Sequence, residues 1–181
     1  DAEENYIESG LLTNESKTSW ATQVGLTKDQ YSVSAMINLK YNGWSDSYYT
    51  AGSAQTGNTT NYGLRAWWRP AETGSATPEV SVGYDYTTIA DVADTVDSTD
   101  AFFVGLTWQD IFNADDRIGI AFGQPQTRED NTADPFMWEA YYSFKVNDSV
   151  TVTPTIFAAS AANGVAGEDY AGGVIETQFK F

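Results

Sequence analysis

The chain has 181 residues without cysteine or histidine, and its 9 Lys and Arg against 25 Asp and Glu give a formal net charge of -16. This composition excludes disulfides, thiolate metal sites and every histidine-dependent catalytic triad, and the negative charge disfavours nucleic-acid binding. We therefore expect no enzyme, and no bound cofactor or metal. The chain lacks any apolar run of the ~18 residues that a membrane-spanning helix needs.

Apolar and polar residues alternate with a period of two through most of the chain, which is typical of β-strands with one apolar face. Nine segments show this alternation: 19–27, 31–42, 62–69, 79–86, 102–109, 117–123, 136–146, 150–158 and 170–181. We find no helical period. Pro154 lies in the middle of a predicted strand, where its missing N–H predicts a bulge.

The predicted connections alternate between short and long. The short ones are 28–30, 70–77, 110–116 and 147–148, and the long ones are 1–18, 43–60, 88–99, 124–134 and 159–169. Short turns on one side and long loops on the other are typical of outer-membrane β-barrels. This pattern predicts that 1–18 is an extracellular loop segment and that 19–181 contributes strands to a barrel.

Aromatic residues on the apolar face cluster at both ends of the predicted strands. One end has Tyr31, Trp68, Trp108, Phe144, Phe179 and Phe181, and the other has Trp20, Tyr41, Tyr84, Tyr86, Phe122, Phe136 and Trp138. Aliphatic residues lie between them, as in the belt and girdles of a membrane barrel. A soluble β-sandwich is the alternative, but it has no reason to sort its rings in this way.

The charged residues of the predicted strands all fall on the polar face. They are Lys40, Arg65, Arg69, Glu79, Asp85, Arg117, Glu139, Lys145, Glu176 and Lys180. In a barrel these ten residues would line the pore, and we single out Arg65, Arg69, Lys145 and Glu139 as a field that sets ion preference. The alternative is that they solvate a wide wall or pair with strands outside this chain. Glycines on the same face predict a lumen that is either wide and wet or plugged.

Two further sets of residues allow a functional and a simpler interpretation. Trp67, Tyr141 and Phe157 face inward and could stack sugars, although packing against an inward loop or plug is the favoured interpretation. Asp91, Asp94, Asp97 and Asp100 could bind calcium or bridge lipopolysaccharide through divalent cations. A solvated acidic loop explains these aspartates more simply.

Nine antiparallel strands cannot close by themselves without pairing the first and last strands parallel, which is rare in bacterial barrels. We therefore predict an all-β fold in which this chain supplies the nine C-terminal strands of a larger transmembrane antiparallel β-barrel of the outer-membrane porin type. The remaining strands would come from N-terminal residues that are missing or cleaved, or from another chain.

The chain ends on Phe181, with Phe179 two residues earlier on the same face, which resembles the assembly signal of bacterial outer-membrane barrels. Several stretches resemble the C-terminal barrel of cyanobacterial outer-membrane porins, a family related to the carbohydrate-selective porins. They are SWATQVGL (19–26), YGLRAWWRP (62–70), GLTW (105–108), IAFGQP (120–125), SVTVTP (149–154) and GVIETQFKF (173–181). The resemblance implies a homotrimer in the outer membrane, in contact with lipid and lipopolysaccharide, that passes small solutes and inorganic ions. It also implies an N-terminal wall-binding domain and a coiled coil, neither of which this chain contains; some members of the family are associated with iron uptake, but these residues show no iron selectivity.

We therefore expect a passive diffusion channel for small hydrophilic solutes and inorganic ions. The alternative is a plugged outer-membrane barrel with a structural or adhesion role. An outer-membrane lipase or protease is discarded because a Ser–His dyad needs histidine.

Overall fold

The computed structural model describes residues 18–41, 58–90, 98–128 and 131–181, and within them the fold is all-β. Nine strands follow in chain order: β1 Thr18–Thr27, β2 Tyr31–Tyr41, β3 Asn58–Trp68, β4 Glu79–Ala90, β5 Ser98–Gln109, β6 Arg117–Arg128, β7 Phe136–Asn147, β8 Val150–Ser160 and β9 Tyr170–Phe179. The sequence predicted no helix. That prediction is wrong, because one 3-10 helix, Ala162–Gly164, lies between β8 and β9.

The strands form one sheet in which every strand pairs antiparallel with the next in sequence. The β1–β2, β3–β4, β5–β6 and β7–β8 connections lie at one edge, the turn end, and the others lie at the opposite edge, the loop end. No helix in the described ranges has the length and apolar character to span a membrane. The expectation for 1–18 concerns residues outside the described part, apart from Thr18 at the start of β1.

The strand register gathers the apolar residues on one face of the sheet. One row of directly paired residues crosses all nine described strands: Leu26, Val33, Ala66, Val82, Val104, Phe122, Trp138, Ala158 and Ala171. We call the face that carries this row the apolar face and the opposite one the polar face. Because side chains alternate across a strand, each strand contributes to both.

The sheet is a single layer, and the described residues place no second layer on its apolar face. Within the described ranges the buried apolar side chains are Ile89, Ala159 and Ala161, whereas Val24 and Ile175 on the apolar face are each 72% exposed. A soluble β-sandwich buries its apolar faces between two sheets. The described part of the chain therefore does not cover its own main apolar surface, and something outside this part must contact that surface.

The strands extend further toward the loop end than the alternation predicts, because β3 begins at Asn58, β4 continues to Ala90, β5 begins at Ser98 and β6 continues to Arg128. Connections at the loop end are therefore 42–57, 91–97, 129–135 and 161–169, and those at the turn end are 28–30, 69–78, 110–116 and 148–149. The predicted separation into short and long connections is thus too sharp. Segment 69–78 at the turn end is longer than 91–97 at the loop end.

The prediction of a bulge at Pro154 is wrong. Pairing between β7 and β8 is interrupted opposite Pro154, but Tyr141–Thr155 and Phe144–Val152 on either side share one register, and Pro154 itself pairs with Ile175 of β9. The missing N–H removes a rung without displacing the strand. The irregularity in this hairpin lies instead between Lys145 and Asn147, next to the turn.

The sheet is open, since β1 and β9 are its two edges. Eight antiparallel steps separate them, so β1 and β9 run in the same direction. If every pairing is antiparallel, closure needs an odd number of further strands between these edges.

Candidate functional site

Aromatic residues mark the turn end of the apolar face along a line that is inclined to the strands. Tyr31 pairs directly with Trp68, and the row that they begin continues through Leu106, Ala140 and Gly173. The aromatic residue nearest the turn end lies two residues beyond that row in β5, at Trp108. The offset grows to four residues in β7, at Phe144, and to six in β9, at Phe179.

This offset gives the inclination of the aromatic line. Six residues of offset accumulate over the seven steps from β2 to β9, and at ~3.3 Å per residue and ~4.8 Å per strand the line makes roughly 30° with the perpendicular to the strands. Strands of membrane barrels tilt by about 35–45° from the membrane normal. The aromatic line is therefore oriented nearly as a membrane surface would be across tilted strands.

A second aromatic group bounds the loop end of the apolar face. Tyr84 pairs with Phe102, Phe122 pairs with Trp138, and the rings of Phe122 and Phe136 are 6.4 Å apart. Asp100, paired with Tyr86, shares this face but lies beyond Phe102 toward the loop end, where its carboxylate accepts a hydrogen bond from Gln124. Its charge therefore lies outside the aliphatic belt.

The polar face carries eight of the ten charged residues that the alternation assigned to it. They are Lys40 in β2, Arg65 in β3, Glu79 and Asp85 in β4, Arg117 in β6, Glu139 and Lys145 in β7, and Glu176 in β9. Arg69 and Lys180 follow immediately after β3 and β9, at the turn end. These ten residues therefore lie on one face or at its turn end, but they are distributed over several strands and do not form one cluster.

Arg65 and Asp85 form an ion pair near the middle of the polar face. The guanidinium Nη2 lies 2.6 Å from Oδ2 of Asp85, and Nη1 donates hydrogen bonds to the carbonyl oxygens of Leu64 and Tyr84. The guanidinium carbon also lies over the ring of Phe103, 5.8 Å from its centroid. The positive charge of Arg65, which we singled out from the sequence as part of a field across the pore, is therefore compensated by Asp85.

The other basic residues singled out from the sequence lie toward the turn end. Lys145 pairs with Asp115 at 2.8 Å, and Arg69 donates from Nε to the carbonyl oxygen of Asp29 while lying over the ring of Trp67. Glu139 lies several residues away toward the loop end. Arg69, Lys145 and Glu139 therefore do not form one cluster with Arg65.

Three glycines of the polar face are covered by aromatic rings from the neighbouring strand, which the sequence analysis missed. Gly83 pairs with Phe103, Gly119 with Tyr141, and Gly172 with Phe157. At each glycine a Cβ atom would collide with the ring of the paired aromatic residue. Each glycine therefore provides space that an aromatic ring fills. The polar face is for this reason less open than the number of its glycines predicts.

The β5–β6 turn is organised by Asp116, whose side chain is almost fully buried. Its carboxylate accepts hydrogen bonds from the backbone N–H groups of Ile111, Phe112 and Asn113 and from the hydroxyl of Tyr142, all between 2.9 and 3.0 Å. Burial opposes ionisation, but these four donors outweigh it and hold the pKa of Asp116 below its ordinary value. Ionised Asp116 therefore supports the turn.

At the loop end, the β6–β7 and β8–β9 connections are joined by hydrogen bonds. The carbonyl oxygen of Gly164 accepts hydrogen bonds from the N–H groups of Thr132 and Ala133 and from the hydroxyl of Thr132. Within the 161–169 segment, Asp169 accepts a hydrogen bond from the N–H of Ala161. The bonds to Gly164 hold the two connections together. Residues of both connections, with Met137 and Ala159 of the polar face, line a cavity of about 730 Å³.

Among the described residues, no group of three or more acidic side chains is arranged to hold a metal ion. Asp91, Asp94 and Asp97 of the acidic loop lie outside the described residues. The one described member of that set, Asp100, bonds to Gln124.

Comparison of the chain with protein-family models, with curated proteins and with solved structures found no match. The two faces of the sheet are therefore the features from which a function is inferred.

Proposed function

We propose that this sheet spans the bacterial outer membrane as part of a porin, a passive diffusion channel for small hydrophilic solutes and inorganic ions. One observation carries the proposal: an exposed apolar face, bounded at both ends by aromatic residues, runs across all nine described strands, opposite a face that carries most of the strand charges. Lipid hydrocarbon is the environment that suits such a face, because it accepts aliphatic side chains in the centre and amphipathic rings at its boundaries.

Strand length and inclination support the same proposal. The strands have 10–12 residues, against the ~9–11 residues that a tilted strand needs to cross the hydrocarbon core. In this arrangement the polar face, with Arg65, Asp85 and Glu139, lines the water-filled interior. Further strands complete the barrel between the open edges of β1 and β9, and three such barrels assemble in contact with lipid and lipopolysaccharide.

A plugged barrel with a structural or adhesion role is the second candidate. The observation that favours it is the coverage of Gly83, Gly119 and Gly172 by aromatic rings. Rings on the interior wall reduce the open cross-section and provide apolar surface against which an inward segment packs.

Single-channel conductance of the complete protein in planar bilayers separates these functions. An open porin predicts discrete steps of large, weakly selective conductance. Since the chain carries a net charge of -16, the reversal potential across a salt gradient is expected to show a preference for cations. Folded, detergent-extracted protein that inserts without conducting would overturn the channel proposal and favour the plugged barrel.

A further inference from the structure

A groove of about 600 Å³ lies on the polar face, toward the loop end of β4–β9. Ala121 and Gly123 of β6 line it without a bulky side chain, and Gly123 is itself buried. Phe103, Phe157 and Tyr170 line it from β5, β8 and β9, together with the carboxylate of Glu139. The groove thus combines apolar ring surface with a negative charge.

Glu139 differs from the other carboxylate in the groove, Asp85, in having no basic partner. Asp85 forms an ion pair with Arg65, whereas no hydrogen bond or ion pair joins the side chain of Glu139 to another residue in the described ranges. Glu139 is exposed, and its direct partners across the sheet are Ala121 and Phe157. An exposed carboxylate beside an aromatic ring attracts a cation both through its charge and through the ring.

Beside this groove, an organic cation already lies over one of the rings that line it. The guanidinium of Arg65 lies over Phe103 and contacts Asp85, so a positive group there is held by a ring and a carboxylate together. Phe157 and Glu139, which pair directly across β7 and β8, provide a ring and a carboxylate on the other side of Ala121 and Gly123. The rings of Phe157 and Tyr170 meet edge to face, with 6.4 Å between their centroids. Within the described residues, no lysine or arginine side chain contacts Phe157 or Glu139 in the way that Arg65 contacts Phe103 and Asp85.

We propose that this groove binds small organic cations, with an ammonium or guanidinium group beside Glu139 and its carbon body against Phe157 and Tyr170. The site accepts a charged amine better than a neutral molecule of the same shape, because Glu139 provides the charge complement. The inference goes beyond the proposed channel and does not depend on conduction.

The test uses the complete protein in an uncharged detergent at about 0.15 M salt, an ionic strength at which distant charges are screened. Binding of benzyltrimethylammonium is measured by calorimetric or NMR titration, with benzyl alcohol as the uncharged aromatic comparison. Glu139→Gln removes the charge at an exposed position that has no hydrogen bonds to lose. Glu79→Gln is the matched control, because Glu79 is a carboxylate of the same face that lies outside this groove.

The expected result is saturable binding of the cation that weakens roughly fivefold or more in Glu139→Gln, as expected for the loss of one ion pair beside a ring. Glu79→Gln binds as the unchanged protein does, and benzyl alcohol binds more weakly throughout. Equal binding to Glu139→Gln and the unchanged protein, or equal loss in Glu79→Gln, would overturn the proposal. Because the readout is binding, a protein that binds but does not conduct refutes only the channel, and one that conducts without binding refutes only the groove.

Discussion

The hydroxyl of Tyr142 donates a hydrogen bond of 3.0 Å to Oδ2 of Asp116. Tyr142 lies on the apolar face of β7, paired with Ile118, and its ring stacks on Phe144 at 5.3 Å. Asp116 belongs to the β5–β6 turn. This bond therefore connects the aromatic residues at the turn end of the apolar face to the turn that ends the neighbouring hairpin.

Acid should weaken this turn. The folded pKa of Asp116 is lowered, and that of Asp110 is lowered by the hydroxyl of Thr73 and by the N–H of Asp115. A depressed pKa contributes stability that is present above the unfolded value, about 3.9, and is lost as the pH falls through the folded value. We expect the urea concentration at the unfolding midpoint, measured in detergent, to decrease as the pH falls below about 4. Asp116→Asn should lose part of this pH dependence, because Asp110 keeps its own contribution.

Two variants sharpen that prediction. Tyr142→Phe removes one of the four donors and should lower the midpoint less than Asp116→Asn does. Asp148→Asn alters an exposed aspartate of the β7–β8 turn and should keep the acid response of the unchanged protein. If Asp116→Asn also keeps it, Asp116 does not hold the turn.

A methyl group at Gly119 should destabilise the sheet. The Cβ of Gly119→Ala would collide with the ring of Tyr141, so we expect a loss of about 1–3 kcal/mol in the free energy of unfolding. Gly173→Ala on the apolar face is the control, since its Cβ would make contacts of 3.3 Å and longer, and it should have a smaller effect. A double variant with Tyr141→Ala should recover part of the loss; strict additivity would show that the ring and the glycine do not interact.

An arginine should be tolerated on the polar face and not on the apolar face. Ile37 and Asn38 are neighbours in β2 on opposite faces. In lipid, Ile37→Arg should cost roughly 2–4 kcal/mol because it places a charge in hydrocarbon, whereas Asn38→Arg remains in water and should cost less than about 1 kcal/mol. The measurement is reversible unfolding from lipid vesicles, and similar costs for both variants would contradict the assignment of the faces.

Breaking the central ion pair should alter ion preference with little effect on stability. Asp85→Asn leaves Arg65 uncompensated and should shift the reversal potential toward anions, while Arg65→Gln should shift it toward cations. Because the side chains are 44% and 42% exposed, we expect stability changes below about 1 kcal/mol. Lys145→Gln changes a pair at the turn end and serves as the comparison. Unchanged reversal potentials in both central variants would show that Arg65 and Asp85 do not face the conducting path.

The alternation of the sequence predicted the faces well because a period of two fixes them wherever the strand is regular. It did not predict the strand ends. Residues 124–128 are polar, and residues 87–90 are two threonines followed by Ile89 and Ala90, so neither segment has a clear apolar period. The backbone continues its pairing in both, with one register shift in 124–127, since backbone hydrogen bonds do not depend on side-chain type.

Cross-strand relationships were beyond the reach of the sequence. Gly83 meets Phe103, and Gly119 meets Tyr141, only in one register, and the register depends on the positions of strand ends on both sides of a connection. The pairing of Arg65 with Asp85 was missed for the same reason. The buried Asp116 was also missed, because its partners are backbone N–H groups, which have no sequence signature.

Contact of the apolar face with lipid hydrocarbon is the central claim, and the absence of cysteine allows a direct measurement. Val82→Cys and Val104→Cys, paired on the apolar face, and Ser81→Cys on the polar face each receive an environment-sensitive fluorophore in the otherwise unchanged, vesicle-inserted protein. Lipids brominated along their acyl chains should quench the labels at 82 and 104 strongly and the label at 81 weakly, with a water-soluble quencher giving the reverse order. Equal quenching of all three labels by the brominated lipids, or stronger quenching at 81, would contradict the account.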